Sequence, residues 1–246
     1  MRYLILSDIH ANRQALDAVV AAAAGRYDRA LCCGDIIGYG ADPDYVTAWV
    51  RANCALTIRG NHDRASTGME DLEWFNPVAR QAAIWTQEHL SAENAAWIRS
   101  LSKGPLDVES FQIIHGAPQD EDEYVLQAEE AHQAFGYLER RLAFFGHTHV
   151  QGGFIWNQSR VEIIPRVGPR SQRQVLEIDP ACAYYLNPGS VGQPRDGDPR
   201  AAFALFDSDA GMVTFLRVPY DIPAAQQSIL DAGLPHALAE RLAYGR

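Results

Sequence analysis

Asp8, His10, Asp35, Asn61, His62, His115, His147 and His149 each stand at the end of a short apolar, β-capable run of the chain. Carboxylates, imidazoles and an amide oxygen all offer lone pairs to a metal ion. Any one of these residues alone reads most simply as a polar surface or capping group. Eight of them at five successive strand ends are hard to assign to chance. Mixed carboxylate, imidazole and amide ligation suits manganese, iron, zinc or cobalt better than calcium or magnesium, which favour oxygen ligands. Seven of the eight as ligands would exceed what one tetrahedral zinc requires, but would serve two ions sharing a bridging carboxylate. Paired ions of this kind sit about 3.5–4 Å apart, activate water and clamp the oxygens of an attacked phosphoryl group.

A sheet must bring these positions together. Tyr3 to Leu6 is an apolar run ending at Asp8, and Gln14 to Ala24 is an alanine-rich helix closed by Gly25. Ala30 to Cys33 reads as a second strand ending at Gly34-Asp35. Pro43 to Asn53 reads as a second helix, with Asp42 as its N-cap before the proline. Ala55 to Ile58 is a third strand, ending at Gly60-Asn61-His62. Strand and helix in alternation predict parallel βαβ units, whose ligands gather at the carboxyl ends of the strands. The polar motifs fall at those ends.

The middle of the chain is helical in pattern, over Pro77–His89 and Glu93–Ser100, with Trp74, Trp85 and Trp97 among these segments. A packed layer is the simpler reading of that cluster, and a lid or interaction surface is the alternative. Gln112 to Ile114 is a strand ending at His115, Glu129 to Arg140 a helix, and Leu142 to Phe145 a strand ending at Gly146-His147-Thr148-His149. Beyond Phe154 the pattern becomes β, and two helices, near Ala224–Ala232 and His236–Tyr244, follow. With no repeat or linker, one domain over residues 1–246 is expected. It carries a helical insertion near 64–105 and a β excursion near 157–175.

The bulk properties agree with a compact enzyme-sized fold. The chain has 246 residues, 47% hydrophobic and 21% charged, with a formal net charge of −10. That field disfavours nucleic acid and anionic lipid as partners, so a phosphate substrate must find local positive charge. Cys32, Cys33, Cys54 and Cys182 lack metal or disulfide spacing and read as small buried hydrophobes. The N-terminal apolar run is only four residues, too short for a signal peptide or a span, which makes the cytoplasm the default location and excludes a membrane partner.

Asp8-Ile9-His10, Gly34-Asp35, Gly60-Asn61-His62-Asp63, His115 and Gly146-His147-Thr148-His149 resemble the five ordered motifs of the calcineurin-like metallophosphoesterase superfamily. The resemblance runs from residue 3 to about residue 206. The stretches Gly34–Gly40 and Asn187–Arg195 further resemble its small bacterial and archaeal phosphodiesterase branch. It implies an α/β fold, a four-layer α/β/β/α sandwich of two mixed sheets flanked by helices. It also implies two divalent transition-metal ions, manganese foremost and iron, zinc, cobalt or nickel as alternatives. Asp8, His10 and His149 would take one ion, Asn61, His115 and His147 the second, and Asp35 would bridge them. His62 matches the non-ligand histidine that faces substrate and protonates the leaving oxygen or stabilises the transition state.

Two departures bear on substrate binding. In the protein-phosphatase branch the Gly-Asp motif continues into an aspartate and an arginine that orient the catalytic histidine and hold phosphate. Gly38 and Tyr39 occupy those positions here, and Ala11 stands where glycine is common. Positive charge must then come from elsewhere. Arg195 and Arg200, flanking Asp196-Gly197-Asp198-Pro199, are the expected phosphate-binding groups, with Asn12 and Tyr39 also facing substrate. Asn12 could equally cap the helix that follows it. Arg160, Arg166, Arg170 and Arg173 stand against one acid, Glu162. They read as an exposed hairpin, or else as a flap over an anionic substrate or a neighbouring subunit's site. The expected partner is a small-molecule phosphate ester, with homo-oligomerisation open. The competing functions are an inactive scaffold, against which every ligand motif is intact, and a nuclease, against which the acidic balance argues.

Overall fold

A computed structural model describes residues 1–73 and 75–246; Trp74, one of the three tryptophans singled out above, lies outside the described residues. The first part of the chain runs β1 (Arg2–Leu6), α1 (Arg13–Ala23), β2 (Arg29–Cys32), α2 (Pro43–Asn53), β3 (Cys54–Thr57) and α3 (Asn61–Ala65). The middle runs α4 (Pro77–His89), α5 (Ala92–Ser100), β4 (Leu106–Val108), β5 (Phe111–Ile113), α6 (Ala128–Phe135) and β6 (Leu142–Phe144). The last part runs β7 (Gly152–Trp156), β8 (Val161–Ile164), β9 (Arg173–Glu177), β10 (Ala183–Asn187), β11 (Ala201–Asp207), β12 (Met212–Val218), α7 (Ile222–Asp231) and α8 (His236–Leu242).

The strands form two six-stranded sheets, ordered β3-β2-β1-β11-β12-β9 and β4-β5-β6-β10-β7-β8. Each is mixed: β1, β2 and β3 are parallel and β11 joins antiparallel, while β5, β6 and β10 are parallel and β7 joins antiparallel. Period-two alternation along β1 explains the layering. Tyr3 and Ile5 point between the sheets, where they meet Phe111, Phe144, Phe206 and Phe215, and Leu4 and Leu6 point outward beneath α1 and α2. Tyr3 packs edge-on against Phe111 at 5.1 Å, and Phe111 does the same against Phe206 at 5.2 Å. Burying each such side chain is worth about 1.5–3 kcal/mol, so this aromatic seam holds the two sheets face to face.

The outer layers are helical, which completes the four-layer α/β/β/α sandwich. α1 presents Ala15, Leu16, Val19 and Ala23 to the first sheet, starts on an Asn12 side-chain cap and stops before Gly25, whose φ of +71° suits glycine. α6 presents Ala131, Ala134 and Phe135 to the second sheet, beneath the stacked pair Phe145–Tyr185. The 64–105 region packs as a layer: α5 places Ile98 in the core under α2, and α4 joins α7 and α8 around Tyr39. No helix among the described residues is long and apolar enough to cross a membrane.

Several local expectations change. Asp42 makes no side-chain cap bond, so Pro43 alone opens α2. α6 ends at Phe135, five residues before Arg140, because Gln112 Oε1 accepts the main-chain N–H groups of Glu139 and Arg140 at 3.2 and 3.3 Å and holds them out of a helix. The short α3 and β4 carried no periodic signal. The β excursion is not one hairpin: β7–β8 closes an edge of the second sheet, and the chain then crosses to β9 at an edge of the first.

Candidate metal centre

The loops after β1, β2, β5 and β6 and the start of α3 meet at one end of the sandwich. Main-chain bonds zip the first two together: Asp8 N–H to Gly34 O at 3.0 Å, His10 N–H to Asp35 O at 3.0 Å and Ala11 N–H to Ile36 O at 2.9 Å. These tight crossings force left-handed backbone on side-chain-bearing residues. Asp8, His10, Ala11, Asp35, Tyr39, His147 and His149 all have φ between +49° and +66°. Such backbone costs about 1–2 kcal/mol per residue relative to ordinary conformations, and its concentration on five of the expected ligands aims their side chains inward. Asp63 ties the third loop in, its Oδ1 accepting Ile36 N–H at 2.9 Å and Ile37 N–H at 3.2 Å, and its Oδ2 accepting Gly60 N–H at 2.9 Å. Gly60 has no alternative, since a Cβ there would lie 2.2 Å from Asp35 Oδ1.

Four imidazoles share one pattern. Each donates its outward N–H to a main-chain carbonyl: His10 Nδ1 to Ile37 at 3.1 Å, His115 Nδ1 to Cys33 at 2.8 Å, His149 Nδ1 to Gln193 at 2.6 Å and His147 Nε2 to Asp122 at 2.9 Å. A carbonyl can only accept, so in the neutral ring the other nitrogen is a bare lone pair. Those lone pairs converge. His10 Nε2 lies 3.0 Å from His149 Nε2, and His115 Nε2 lies 3.2 Å from Asn61 Oδ1. Asp35 sits between the two groups, with Oδ2 3.5 Å from His10 Nε2 and Oδ1 3.5 Å from His115 Nε2. Asp8 Oδ1 lies 3.5 Å from His149 Nε2. The ligand atoms form two overlapping clusters, Asp8, His10, Asp35 and His149, and Asp35, His115 and His147.

Electrostatics calls for cations here. Asp8 Oδ2 and Asp35 Oδ2 are buried with no hydrogen-bond partner among the described residues, an arrangement that desolvates charge with nothing to offset it. Burial, partly opposed by His115, lifts Asp8 to about 7. Burial would also lift Asp35, but His115, His62 and His10 outweigh it and hold that carboxyl well below its ordinary value. Burial pushes His10 and His149 well down and His147 to about 3, which leaves them neutral and ready to ligate. His115 is the exception: Asp35 and Asp8 overcome its burial and raise it to about 9. Cations between these groups meet every inward lone pair and both orphaned oxygens, so the residues fit a metal site.

The sequence signature of the Calcineurin-like phosphoesterase superfamily domain matches residues 1–211. The chain belongs to this superfamily. An uncharacterized protein of Methanocaldococcus jannaschii is 34% identical to it over 251 residues, spanning 98% of this chain and 97% of its own. The crystal structure of a metallophosphoesterase from Sphaerobacter thermophilus matches with a TM-score of 0.87 at 40% identity, covering 100% of this chain and 99% of that one. A hypothetical protein from Pyrococcus horikoshii OT3 shares the fold, with a TM-score of 0.76 at 17% identity over 100% of this chain and 98% of its own.

Within this superfamily member the residues expected to face substrate fall into two groups. His62 lies beside the ligands, its ring 5.0 Å from that of His10 and 5.4 Å from Phe75, and its main-chain N–H donates to Asp35 Oδ1 at 2.9 Å. Burial first, and Arg195 next among the groups that lower it, bring His62 down to about 4 against the pull of Asp35. Tyr39 packs on His62 at 4.3 Å and on His10 at 4.7 Å. Arg195 reaches the same spot, donating from Nη2 to the Tyr39 hydroxyl and to Gln193 Oε1, each at 3.3 Å.

Asn12 and Arg200 are placed otherwise. Asn12 caps α1 through Ala15 N–H at 3.0 Å and donates Nδ2 to Gly192 O at 2.8 Å, so both ends of its amide are spent on scaffold. Arg200 is held by Asp198 at 2.5 Å and by Ser171 O at 2.7 Å, because an acid two residues away outcompetes any distant anion. The arginines at 160–173 do not act as one flap: Arg160 pairs with Glu162 at 2.9 Å, and Arg173 begins β9 on the other sheet.

Sequence reasoning missed four supports. Ser190 Oγ donates to Asp8 O at 2.7 Å, and Asp63 clamps the loops. Arg64 binds Glu70 at 2.8 Å and Glu121 and Asp122 at 2.7 Å each, fixing the loop whose Asp122 carbonyl holds His147 and whose Tyr124 ring lies 4.0 Å from it. Arg241 approaches Tyr39 from α8 at 6.0 Å. Asp63 and Ser190 carried a signal, their places in the Gly60–Asp63 motif and the Asn187–Arg195 stretch, and Arg64 and Arg241 carried none.

Proposed function

We propose that the chain is a metal-dependent phosphoesterase that binds two divalent transition-metal ions, manganese foremost, and hydrolyses a small phosphodiester or nucleotide-like phosphate ester. The observation that carries this reading is the shared imidazole pattern: four outward N–H groups anchored on carbonyls, four lone pairs and two orphaned carboxylate oxygens facing one space. Asp8, His10 and His149 would hold one ion, Asn61, His115 and His147 the other, and Asp35, a member of both clusters, would bridge them. Nitrogen donors in that number favour Mn, Fe, Co, Ni or Zn over Ca or Mg. Such ions supply Lewis acidity, neutralising phosphoryl charge and bringing the pKa of water from about 15.7 toward neutrality.

The chain's own residues then orient and protonate. His62 Nδ1 is buried with no partner among the described residues, which is tolerable for a bare lone pair and places the ring proton on Nε2. With its pKa down at about 4, the ring is neutral near pH 7, so His62 acts as a hydrogen-bond donor to the leaving oxygen rather than as a cationic acid. Arg195 supplies fixed positive charge to phosphoryl oxygens, in place of the arginine that Tyr39 replaces. The burial of the ligands keeps bulk water from competing with these contacts.

Metal analysis after loading, together with hydrolysis of bis-p-nitrophenyl phosphate in Mn, Ni, Mg or Zn, tests the reading. Asp35→Asn is expected to lose bound metal and activity together. His62→Ala is expected to keep its metal and lose about 10²–10⁴-fold in kcat. Full activity in both variants overturns the assignment.

A further inference from the structure

Beside the metal cluster lie two guanidinium groups with no aspartate or glutamate partner among the described residues. Arg195 and Arg241 come from the loop after β10 and from α8, and their Cζ atoms lie 5.7 and 6.0 Å from the Tyr39 ring centroid. Arg195 donates only to the Tyr39 hydroxyl and Gln193 Oε1, and its buried Nε has no partner among the described residues. Arg241 donates from Nε to the main-chain oxygen of Arg246. Neither faces an aspartate or glutamate at ion-pair distance among the described residues. The neighbouring Arg200 and Arg217 are both paired, to Asp198 and Asp196. In a chain with 31 acids against 21 bases, two half-buried arginines that no aspartate or glutamate faces among the described residues, and near enough to repel each other, are an exception. Burial without a partner is unfavourable unless an anion arrives to complete the site.

We propose that Arg241, together with Arg195, forms a second anion subsite next to the metal centre, and that it receives a phosphoryl group adjacent to the one being hydrolysed. The preferred substrates are then pyrophosphate-linked compounds such as nucleoside polyphosphates, an assignment that rests on the phosphoesterase reading for its hydrolytic half. Charge and position support it. Two divalent ions against the carboxylates of Asp8 and Asp35 leave surplus positive charge for the attacked phosphoryl group alone. Arg195 bonds to Tyr39 and to Gln193, whose carbonyl holds His149, so it borders the centre, whereas Arg241 reaches the far partner of that pair, its Cζ 6.0 Å from the Tyr39 ring. Tyr39, where the protein-phosphatase branch carries its phosphate arginine, has both guanidinium carbons within 6.0 Å of its ring and would offer its hydroxyl to the same anion.

Calorimetric titration of the metal-free full chain with inorganic pyrophosphate and inorganic phosphate reads the subsite without catalysis. The wild type is expected to bind pyrophosphate more tightly than phosphate. Arg241→Gln should weaken pyrophosphate at least about tenfold, the loss of one or two charge-assisted bonds, and Arg241→Lys should recover part of that loss. Arg195→Gln, with its own melting curve as a folding check, should show the same pattern. Unchanged pyrophosphate affinity in Arg241→Gln, or no pyrophosphate binding by the wild type, overturns the proposal. In the Mn-loaded protein, Arg241→Gln should raise KM for ADP more than for bis-p-nitrophenyl phosphate. If no ester is hydrolysed while the calorimetric differences persist, the phosphoesterase reading fails and the subsite stands. Hydrolysis with identical pyrophosphate binding in all variants has the opposite meaning.

Discussion

A methyl group at Gly38 would lie 2.9 Å from Nδ1 of His62. The backbone at Gly38 has φ of +84°, so glycine is demanded there twice, by conformation and by the imidazole that fills the space a side chain would need. This contact explains how His62 is held without an acidic partner: Gly38 beneath it, Tyr39 and Phe75 on its faces, and Asp35 at its main-chain N–H.

Gly38→Ala is therefore expected to displace the His62 ring. Stability should fall by about 1–3 kcal/mol from the strained φ, seen as a lower melting temperature. The kcat should fall more than KM rises, because the metal ligands are untouched. Wild-type kcat in a folded Gly38→Ala protein removes His62 from the reaction.

The pH dependence of metal uptake follows from His115. Its folded pKa of about 9 lies above the ordinary value of about 6.5. In the metal-free protein this group contributes stability that is fully present below about pH 6.5 and is lost as the pH rises through about 9. Ligation requires the neutral ring, so loading at pH 7 must release this proton, and apparent affinity must rise with pH up to about 9. Calorimetry of Mn binding in two buffers of different ionisation enthalpy measures the proton; zero release at pH 7 contradicts the charge state given to His115.

Arg64→Gln tests the loop behind His147. Losing the pairs to Glu70, Glu121 and Asp122 should free the Asp122 carbonyl that orients the His147 ring. Removing a partner that orients a ligand typically weakens metal affinity about 10–100-fold. Metal titration should show the loss mainly in the weaker of two binding events, and unaltered isotherms would mean that the loop is held by other contacts.

Asn12→Ala separates scaffold from substrate. The lost cap and the lost bond to Gly192 should lower stability by about 1–2 kcal/mol, while KM moves less than twofold. A KM effect larger than the stability effect would return Asn12 to the substrate side.

The clustering of Asp8, His10, Asp35, His115, His147 and His149 was legible because its signal is local: an apolar strand, a tight turn, then Asp or His, repeated at successive strand ends. The sandwich was legible for a related reason, since the change from strand–helix alternation to strands alone marks where parallel pairing gives way to antiparallel. Arg200 was misplaced because its competitor, Asp198, acts through a turn whose geometry no periodicity encodes. The end of α6 was missed because Gln112, a strand residue more than twenty positions away, draws off the N–H groups of Glu139 and Arg140. Arg241 had no signal at all. Its place beside Tyr39 depends on α7 and α8 folding back across the site, and the apolar faces that do this, Ile229, Leu238 and Leu242, resemble any other amphipathic helix.

The left-handed backbone at Asp8, His10, Asp35, His147 and His149 makes the fold a sensor of its own surroundings. Conformational strain at these five residues and two uncompensated oxygens weigh against the fold, and a cation held there would remove the second of these burdens. By mass action, free metal at a hundred times its dissociation constant adds about 2.7 kcal/mol to folding stability. Chelator and trace metal in the buffer are therefore expected to move the melting temperature of an unchanged sequence, and a melting temperature indifferent to both would speak against a metal at these residues.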